Sequence, residues 1–173
     1  CTDKRVNLIT PSFFESFPDF LSLSKARQDE IFQLIRSCSY PNNKSKHLLG
    51  LAKTIVNEYE GKLPMELSKL TTLPGIGRKT ANVLLSVLEN QAVLAVDTHV
   101  FRVSHRLGLV NTKATTPLAV EKQIVELIEN KEILSKLHHW LILHGRYTCT
   151  ARNPKCDKCL ILKFCKYFNK KSK

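Results

Sequence analysis

The chain has 173 residues, of which 43% are hydrophobic and 24% are charged, a composition typical of a folded globular protein and not of a disordered one. Its 27 Lys and Arg residues outnumber its 15 Asp and Glu residues and give a formal net charge of +12. This charge favours a polyanionic partner, although a merely basic surface would produce the same balance. No run of about 18 apolar residues is present, so no membrane-spanning helix is expected.

Helical periodicity begins with the first residues. Val6, Leu8 and Ile9 follow an opening that has neither Met nor an evident helix cap. We therefore expect the chain to begin within a helix and an N-terminal part of the fold to be missing. Whether that missing part carries a targeting segment is left open by the sequence.

Two amphipathic helices and a short one follow. Apolar side chains recur three and four residues apart within residues 26–38 and again within 43–60, which is the pattern of a helix with one buried face. Gly61 is placed to end the second of these helices. A third, shorter helix is predicted at 64–70.

The stretch LPGIGRKTANVLL (73–85) joins two helices through a tight glycine turn. Gly75 and Gly77 free the backbone so that successive N–H groups can point outward at the start of the next helix, which is a favourable site for an anion. Such a turn contacts phosphate without reading base sequence. The alternative is an ordinary corner between two helices.

The rest of the chain is also helical. Residues 91–96 (QAVLAV) are the one plausible strand, and we expect them to form a buried connector instead. Thr116 and Pro117 are favoured as the cap and first residue of a helix. The next helix carries its apolar stripe on Leu134, Leu137, Trp140 and Leu141. The predicted fold class is all-α.

Four of the six cysteines lie together near the C-terminal end, spaced C-x6-C-x2-C-x5-C: Cys149, Cys156, Cys159 and Cys165. Clustered cysteines of this kind favour a metal centre over disulfides. Structural zinc sites usually have two close pairs of ligands, whereas a single close pair with wider arms is better suited to an iron–sulfur cluster. Zinc and disulfides are the alternatives. The surrounding residues 149–173 contain eight Lys or Arg residues and one acid, which is consistent with nucleic-acid binding or with a solvated basic tail.

Three segments together resemble the endonuclease III family of helix–hairpin–helix DNA glycosylases. They are residues 73–85, AVDTHVFRVSHRLGLV (95–110) and HHWLILHGRYTCTARNPKCDKCLILKFC (138–165). The resemblance implies a fold of two α-helical lobes, a six-helix barrel at 1–91 and a [4Fe–4S] cluster lobe at 92–173, with the four clustered cysteines as ligands. It also implies a bifunctional enzyme of base-excision repair that removes oxidised pyrimidines and then cleaves the abasic strand.

By this resemblance Lys79 is the catalytic lysine and Asp97 the catalytic aspartate. An amine can attack the sugar C1′, expel the base and form a Schiff base that permits β-elimination. Without the motif, Lys79 would be read as a solvated helix residue. Asp97 is a good helix cap, and a carboxylate held by a cap can also stabilise positive charge that develops on the sugar.

The resemblance further implies contacts with DNA. Gly75, Gly77, Arg78, Arg152 and Lys155 are the expected DNA-binding residues. The loop 39–45 corresponds to a family segment that fills the gap left by a flipped nucleotide, with Tyr40, Asn42 and Asn43 as its candidates. A second such residue would lie before Cys1.

The expected partner is therefore duplex DNA with oxidised pyrimidines or abasic sites. No membrane partner is expected, and the protein is predicted to be a monomer in the cytoplasm, associated with the nucleoid. A monofunctional mismatch or adenine glycosylase is the alternative, but such relatives carry a different residue, such as Ser or Tyr, at the position of Lys79. A non-catalytic DNA-binding module, the other alternative, would need neither Lys79 nor Asp97.

Overall fold

The computed structural model describes residues 1–171, and within them the backbone is helical, with no strand. The all-α prediction is confirmed, and residues 91–96 form an irregular connector as expected. The backbone forms two compact units, one at Cys1–Gly77 and the other from Arg78 onward. The boundary between these two compact units lies after Gly77, whereas the predicted lobes meet between residues 91 and 92. The lobe boundary stays a prediction. No helix in the described part of the chain is both long and apolar enough to cross a membrane.

The first unit contains four helices, a short fifth and an apolar core. They are α1 (Asp3–Ser16), α2 (Phe20–Lys25), α3 (Gln28–Ile35), α4 (Pro41–Glu58) and α5 (Leu67–Leu70). The core is formed by side chains of α2, α3 and α4 and the turn between the last two: Leu23, Ile31, Ile35, Cys38 and Ala52. Gly61 has a φ of +78° and follows the end of α4, as predicted.

The expectation that the chain begins within a helix is wrong for the described structure. Helix α1 begins at Asp3, and the Thr2 hydroxyl accepts a hydrogen bond from the backbone N–H of Arg5 at 3.3 Å. Threonine is a favoured cap because its oxygen satisfies one of the N–H groups that the first turn leaves without a partner. The predicted missing N-terminal part stays a prediction.

The second unit contains α6 (Arg78–Leu88), α7 (Thr98–Leu107), α8 (Pro117–Leu127), α9 (Leu134–Tyr147) and α10 (Lys166–Lys171). Its core joins the connector to α7, α8 and α9 through Leu94, Val100, Val103, Ile124 and Leu134. The Thr116 hydroxyl accepts from the N–H of Ala119 at 3.2 Å, and Pro117 is the first residue of α8. Both helix-start predictions are confirmed.

The predicted apolar stripe of α9 needs one correction. Leu134 and Leu141 are buried, but Trp140 is 55% exposed. The buried face of α9 instead contains His138 between those two leucines. Apolar residues at 140 and 141 cannot both lie at the centre of one helix face, because neighbouring residues are about 100° apart around the axis.

Candidate active site and cysteine cluster

Lys79 and Asp97 line the same cleft of the second unit. The cleft encloses about 620 Å³, and its other lining residues are Val96, Thr98, His99, Phe101, Thr115, Pro117 and Arg146. This volume is within the range of clefts that hold small ligands. Lys79 lies in the exposed first turn of α6, and Asp97 precedes α7 and is half-buried. The structure thus brings together the two residues predicted to be catalytic, from positions 18 residues apart in the sequence.

The Asp97 carboxylate is held in place by the start of α7. Its Oδ1 accepts hydrogen bonds from the backbone N–H groups of His99 and Val100, both at 2.8 Å, so the predicted cap is confirmed. The cap uses Oδ1 only, and Oδ2 takes no part in it. A carboxylate of fixed orientation in a cleft can stabilise a positive charge or receive a proton without first reorganising.

Arg78 is engaged by a carboxylate of α8. Its Nε and Nη2 donate to the two oxygens of Glu121 at 2.8 and 2.7 Å, and this hydrogen-bonded pair raises the pKa of Arg78. Glu121 is 43 residues away in the sequence, so no local pattern predicts this pair. A phosphate that binds the Arg78 side chain must replace the pair or use its remaining N–H groups.

Two buried polar side chains near the cleft were also missed by the sequence analysis. Asn82 is 1% exposed and donates from Nδ2 to the carbonyl of Leu94 at 2.9 Å. His138 is 8% exposed, and its Nδ1 lies 2.7 Å from the carbonyl oxygen of Ala95. A carbonyl can only accept a hydrogen bond, so Nδ1 carries the proton. No sequence pattern predicts these two contacts, because the connector that the side chains hold has no periodicity of its own.

His138 is expected to make stability depend on pH. Burial lowers its pKa below the ordinary 6.5, and the nearby His139 and Lys79 act in the same direction, whereas the bond to Ala95 and the charge of Asp97 oppose it. The unfolded chain therefore binds a proton as the pH falls below about 6.5 while the folded protein does not. Stability falls with decreasing pH in that window, by at most about 1.4 kcal/mol per pH unit for this one group.

The measurement is urea unfolding between about pH 7.5 and 5 for the original protein and His138→Asn. Asparagine retains a donor near the position of Nδ1 but does not titrate, so the variant should lose less stability across this range. The pKa of His144 is also lowered by burial, and that contribution is common to both proteins. Identical pH slopes would show that His138 does not contribute.

The glycines of the turn differ in what the fold requires of them. Gly75 has a φ of +79°, and a Cβ added there would lie 2.9 Å from the Cβ of His47. Gly77 has no positive φ, and an added Cβ would meet no described atom within 4 Å. Packing within the protein thus explains glycine at 75 but not at 77.

All four clustered cysteines line a single pocket of the second unit. They share it with Leu107, His144, Thr148, Pro154, Lys155, Leu162 and Tyr167. All six cysteines of the chain are free thiols in the structure. His144 Nε2 lies 4.0 Å from the sulfur of Cys159. The four cysteines, spaced along the chain as predicted, therefore meet at one pocket.

The donor set fits an iron–sulfur cluster. Cysteine thiolates are the ligands of such clusters, and four of them, each on a separate iron, hold a [4Fe–4S] cluster. All four cysteines line this pocket, so the residues present supply the full ligand set.

Two arginines of α7 connect the cysteine region to the rest of the unit. Arg106 donates to the sulfur of Cys149 at 3.3 Å and to the carbonyls of Thr150 and Ala151 at 2.7 and 2.8 Å. Arg102 donates to the carbonyls of Gly145 and Cys149. These contacts were missed, although two cations four residues apart on one helix face could have indicated a shared acceptor.

The loop that these arginines hold carries the two predicted phosphate-binding residues of this region. Arg152 and Lys155 are both exposed. The backbone N–H of Lys155 donates to the carbonyl of Thr148 at 2.9 Å, which closes the loop. Exposed cations on a closed loop are suitably placed for a polyanion.

Comparison with known proteins identifies the family. A family model described as HhH-GPD superfamily base excision DNA repair protein matches residues 1–130, and one described as the iron–sulfur binding domain of endonuclease III matches residues 149–165. Over 168 residues the chain is 43% identical to endonuclease III of Rickettsia felis, which covers 97% of this chain and 78% of that protein. The chain belongs to the endonuclease III family.

Further relatives and solved structures agree with this assignment. Endonuclease III of Bacillus subtilis is 40% identical over 100% of this chain and 78% of its own length. The structure of a trapped endonuclease III–DNA covalent intermediate has a TM-score of 0.92 at 38% identity and covers 100% of this chain and 80% of that one. A thermostable thymine-DNA glycosylase has a TM-score of 0.84 at 25% identity over 98% and 78% of the two chains.

Membership of the endonuclease III family gives the activity and the cofactor. The protein is a DNA-binding enzyme of base-excision repair, with DNA glycosylase and AP lyase activity. Its cofactor is a [4Fe–4S] cluster. The fold class, the family, the activity and the cofactor predicted from the sequence are thereby confirmed.

Proposed function

We propose that the enzyme removes oxidised pyrimidines from duplex DNA and cleaves the resulting abasic strand by β-elimination, with Lys79 as the nucleophile and Asp97 as its partner. The observation that carries this proposal is that the two side chains line one cleft. The cleft combines an exposed amine with a carboxylate whose orientation is set by two backbone N–H groups. A covalent intermediate trapped between a similar endonuclease III and DNA supports chemistry of this class.

The proposed reaction proceeds through a covalent bond to Lys79. The neutral amine attacks C1′ of the sugar, and the bond from C1′ to the base breaks with its electron pair leaving on the base. The ring oxygen O4′ then leaves C1′ with the electron pair of their bond and takes a proton, which opens the sugar ring and leaves a protonated Schiff base between C1′ and Lys79. This Schiff base makes the proton on C2′ acidic, and its loss expels the 3′-phosphate. Asp97 Oδ2 stabilises the positive charge on the sugar and accepts a proton as the amine reacts.

A panel of duplexes tests the proposed substrate class. Each carries an oxidised pyrimidine, uracil, a thymine mismatch or an adenine mismatch, and borohydride is added to reduce any Schiff base to a stable adduct. We expect trapped enzyme and strand cleavage with oxidised pyrimidines and with preformed abasic sites. Base release without a trapped adduct would instead support a monofunctional glycosylase.

The remaining features of the proposal concern the cluster and DNA. Cys149, Cys156, Cys159 and Cys165 would each bind one iron, and the bound cluster would cross-link the loop that carries Arg152 and Lys155. Gly75, Gly77 and Arg78, together with these two cations, would bind the DNA backbone. We further propose two lobes at 1–91 and 92–173, and a monomeric enzyme associated with the nucleoid in the cytoplasm.

Replacement of the two turn glycines by alanine should separate folding from DNA binding. Gly77→Ala should leave the melting temperature unchanged and weaken binding to undamaged duplex about tenfold, because a Cβ would keep a phosphate away from the backbone N–H groups. Gly75→Ala should instead lower stability by roughly 1–2 kcal/mol through its positive φ and the contact with His47. Thermal unfolding and fluorescence anisotropy provide the two measurements, and unchanged binding by Gly77→Ala would remove this glycine from the interface.

Tyr40 is the best candidate for the side chain that fills the gap in the duplex. Of the predicted loop 39–45, residues 41–45 belong instead to the first turns of α4. Tyr40 is 79% exposed, has a left-handed backbone (φ 55°, ψ 52°) and immediately precedes Pro41 at the start of α4. An aromatic ring held outward at a rigid helix start can stack on bases. Tyr40→Ala should slow base release from duplex about tenfold and leave the cleavage of single-stranded abasic DNA unchanged. Asn42→Ala and Asn43→Ala are the controls, and a larger loss in either would reassign the role.

A further inference from the structure

Two buried side chains hold the backbone that leads to Asp97. Leu94 and Ala95 of the connector are 0% and 3% exposed and belong to no helix. Buried carbonyls in irregular backbone need donors from elsewhere. Asn82 provides the donor for Leu94 and His138 the donor for Ala95, at 2.9 and 2.7 Å.

These two hydrogen bonds connect the elements that carry the catalytic groups. Asn82 follows Lys79 by three residues on α6, so that one rigid turn of helix carries both the amine and the donor to the connector. Ala95 precedes Asp97 by two residues. His138 fixes the same connector to α9 through its hydrogen bond to the Ala95 carbonyl.

Asn82 satisfies one buried acceptor and leaves another unpaired. Its Nδ2 donates to the Leu94 carbonyl, whereas its Oδ1 is buried and has no hydrogen-bond partner among the described residues. An apolar side chain of similar size would remove the unpaired Oδ1 but would leave the Leu94 carbonyl without its donor. The donor to the connector is therefore the specific contribution of this side chain.

We infer that Asn82 and His138 are positioning residues that set the separation and orientation of Lys79 and Asp97. This inference rests on the proposed catalytic roles of those two side chains. Displacement of a catalytic group by about 1 Å can reduce a rate about 100-fold. Loss of either hydrogen bond should thus slow the chemistry while the fold and DNA binding are retained.

Ser86 supplies a matched control on the same helix. Its hydroxyl donates to that of Ser135 on α9 at 2.7 Å, so Ser86→Ala removes a hydrogen bond between α6 and α9 that does not involve the connector. Asn82→Leu removes the donor to Leu94 and retains the side-chain volume approximately. His138→Leu removes the donor to Ala95, and His138→Asn retains one near the same position.

The experiment measures borohydride trapping on a duplex with a preformed abasic site, in a single turnover with the cluster-containing enzyme. Asn82→Leu and His138→Leu should lower the rate constant roughly 30-fold or more, with the trapped fraction and the affinity for a non-cleavable abasic analogue within about twofold of the original protein. Ser86→Ala and His138→Asn should stay within about threefold in rate. A smaller amount of folded enzyme would lower the trapped fraction and leave the rate constant unchanged. The measurement therefore separates slower chemistry from loss of fold.

A double-mutant cycle tests whether the effect acts through Asp97. In an Asp97→Asn background, Asn82→Leu should lower the rate less than twofold, because the carboxylate that it positions is already absent. Full additivity, or original rates in both Asn82→Leu and His138→Leu, would overturn the inference. If Asn82→Leu lowers the trapped fraction, the two His138 variants test the inference instead: His138→Leu should slow the reaction, and His138→Asn should restore its rate. Lys79→Gln is assayed in parallel, and an adduct formed by that variant would contradict the proposed function itself.

Discussion

Replacing Lys79 with glutamine should abolish the borohydride-trapped adduct and lower strand cleavage at least about 1000-fold. The amide of glutamine is not nucleophilic, and no Schiff base can form without an amine at this position. The side chain is exposed in the first turn of α6, so the substitution should change the melting temperature little. The measurement is single-turnover cleavage of an abasic duplex, with the adduct resolved by denaturing electrophoresis.

Lys79→Arg is the control that separates charge from nucleophilicity. Arginine keeps a positive charge near the phosphates but stays protonated and cannot attack the sugar. It should bind duplex about as tightly as the original protein and be as inactive as Lys79→Gln. Substantial cleavage by either variant would show that another amine carries the reaction, and Lys79 would then be a DNA contact only.

The parts of the structure that the sequence predicted are those determined by local rules. The cap at Thr116 and the cap at Asp97 both depend on a side-chain oxygen that reaches N–H groups two or three residues later, and such contacts can be read from neighbouring residues. The spacing of four cysteines likewise predicted one shared pocket. The resemblance of three segments to a known family added the positions of Lys79 and Asp97.

The parts that could not be predicted involve partners that are distant in sequence. The ion pair of Arg78 and Glu121 spans 43 residues, and so does the bond from His138 to Ala95. Periodicity predicted Trp140 on the buried face of α9. That face carries His138 instead, whose Nδ1 donates to the Ala95 carbonyl of the connector. No pattern in one sequence specifies such a choice, because it depends on which backbone groups of another element lack partners.

Replacing Cys156 with serine should remove the iron and unfold the cluster region. Purified protein should contain about four irons per chain with the absorbance of a [4Fe–4S] cluster, and Cys156→Ser should lose both. Metal binding is coupled to folding in such small sites. We therefore expect the loss to expose roughly the last 25 residues to proteolysis and to lower affinity for duplex DNA, since the loop with Arg152 and Lys155 is no longer held.

The segment around these cysteines has little else to stabilise it. Between Cys149 and Cys165 its only helices within the described residues are the short 3₁₀ turns Cys156–Lys158 and Leu162–Phe164, and Leu160 and Phe164 are 97% and 67% exposed. Such a segment buries too little apolar surface to offset the entropy of ordering its backbone. Cys1→Ser is the matched control, because it is the same substitution at an exposed thiol and should retain all of the iron. A Cys156→Ser protein with full iron content and unchanged resistance to protease would show that Cys156 is not a ligand, and stoichiometric zinc in the original protein would contradict the cluster itself.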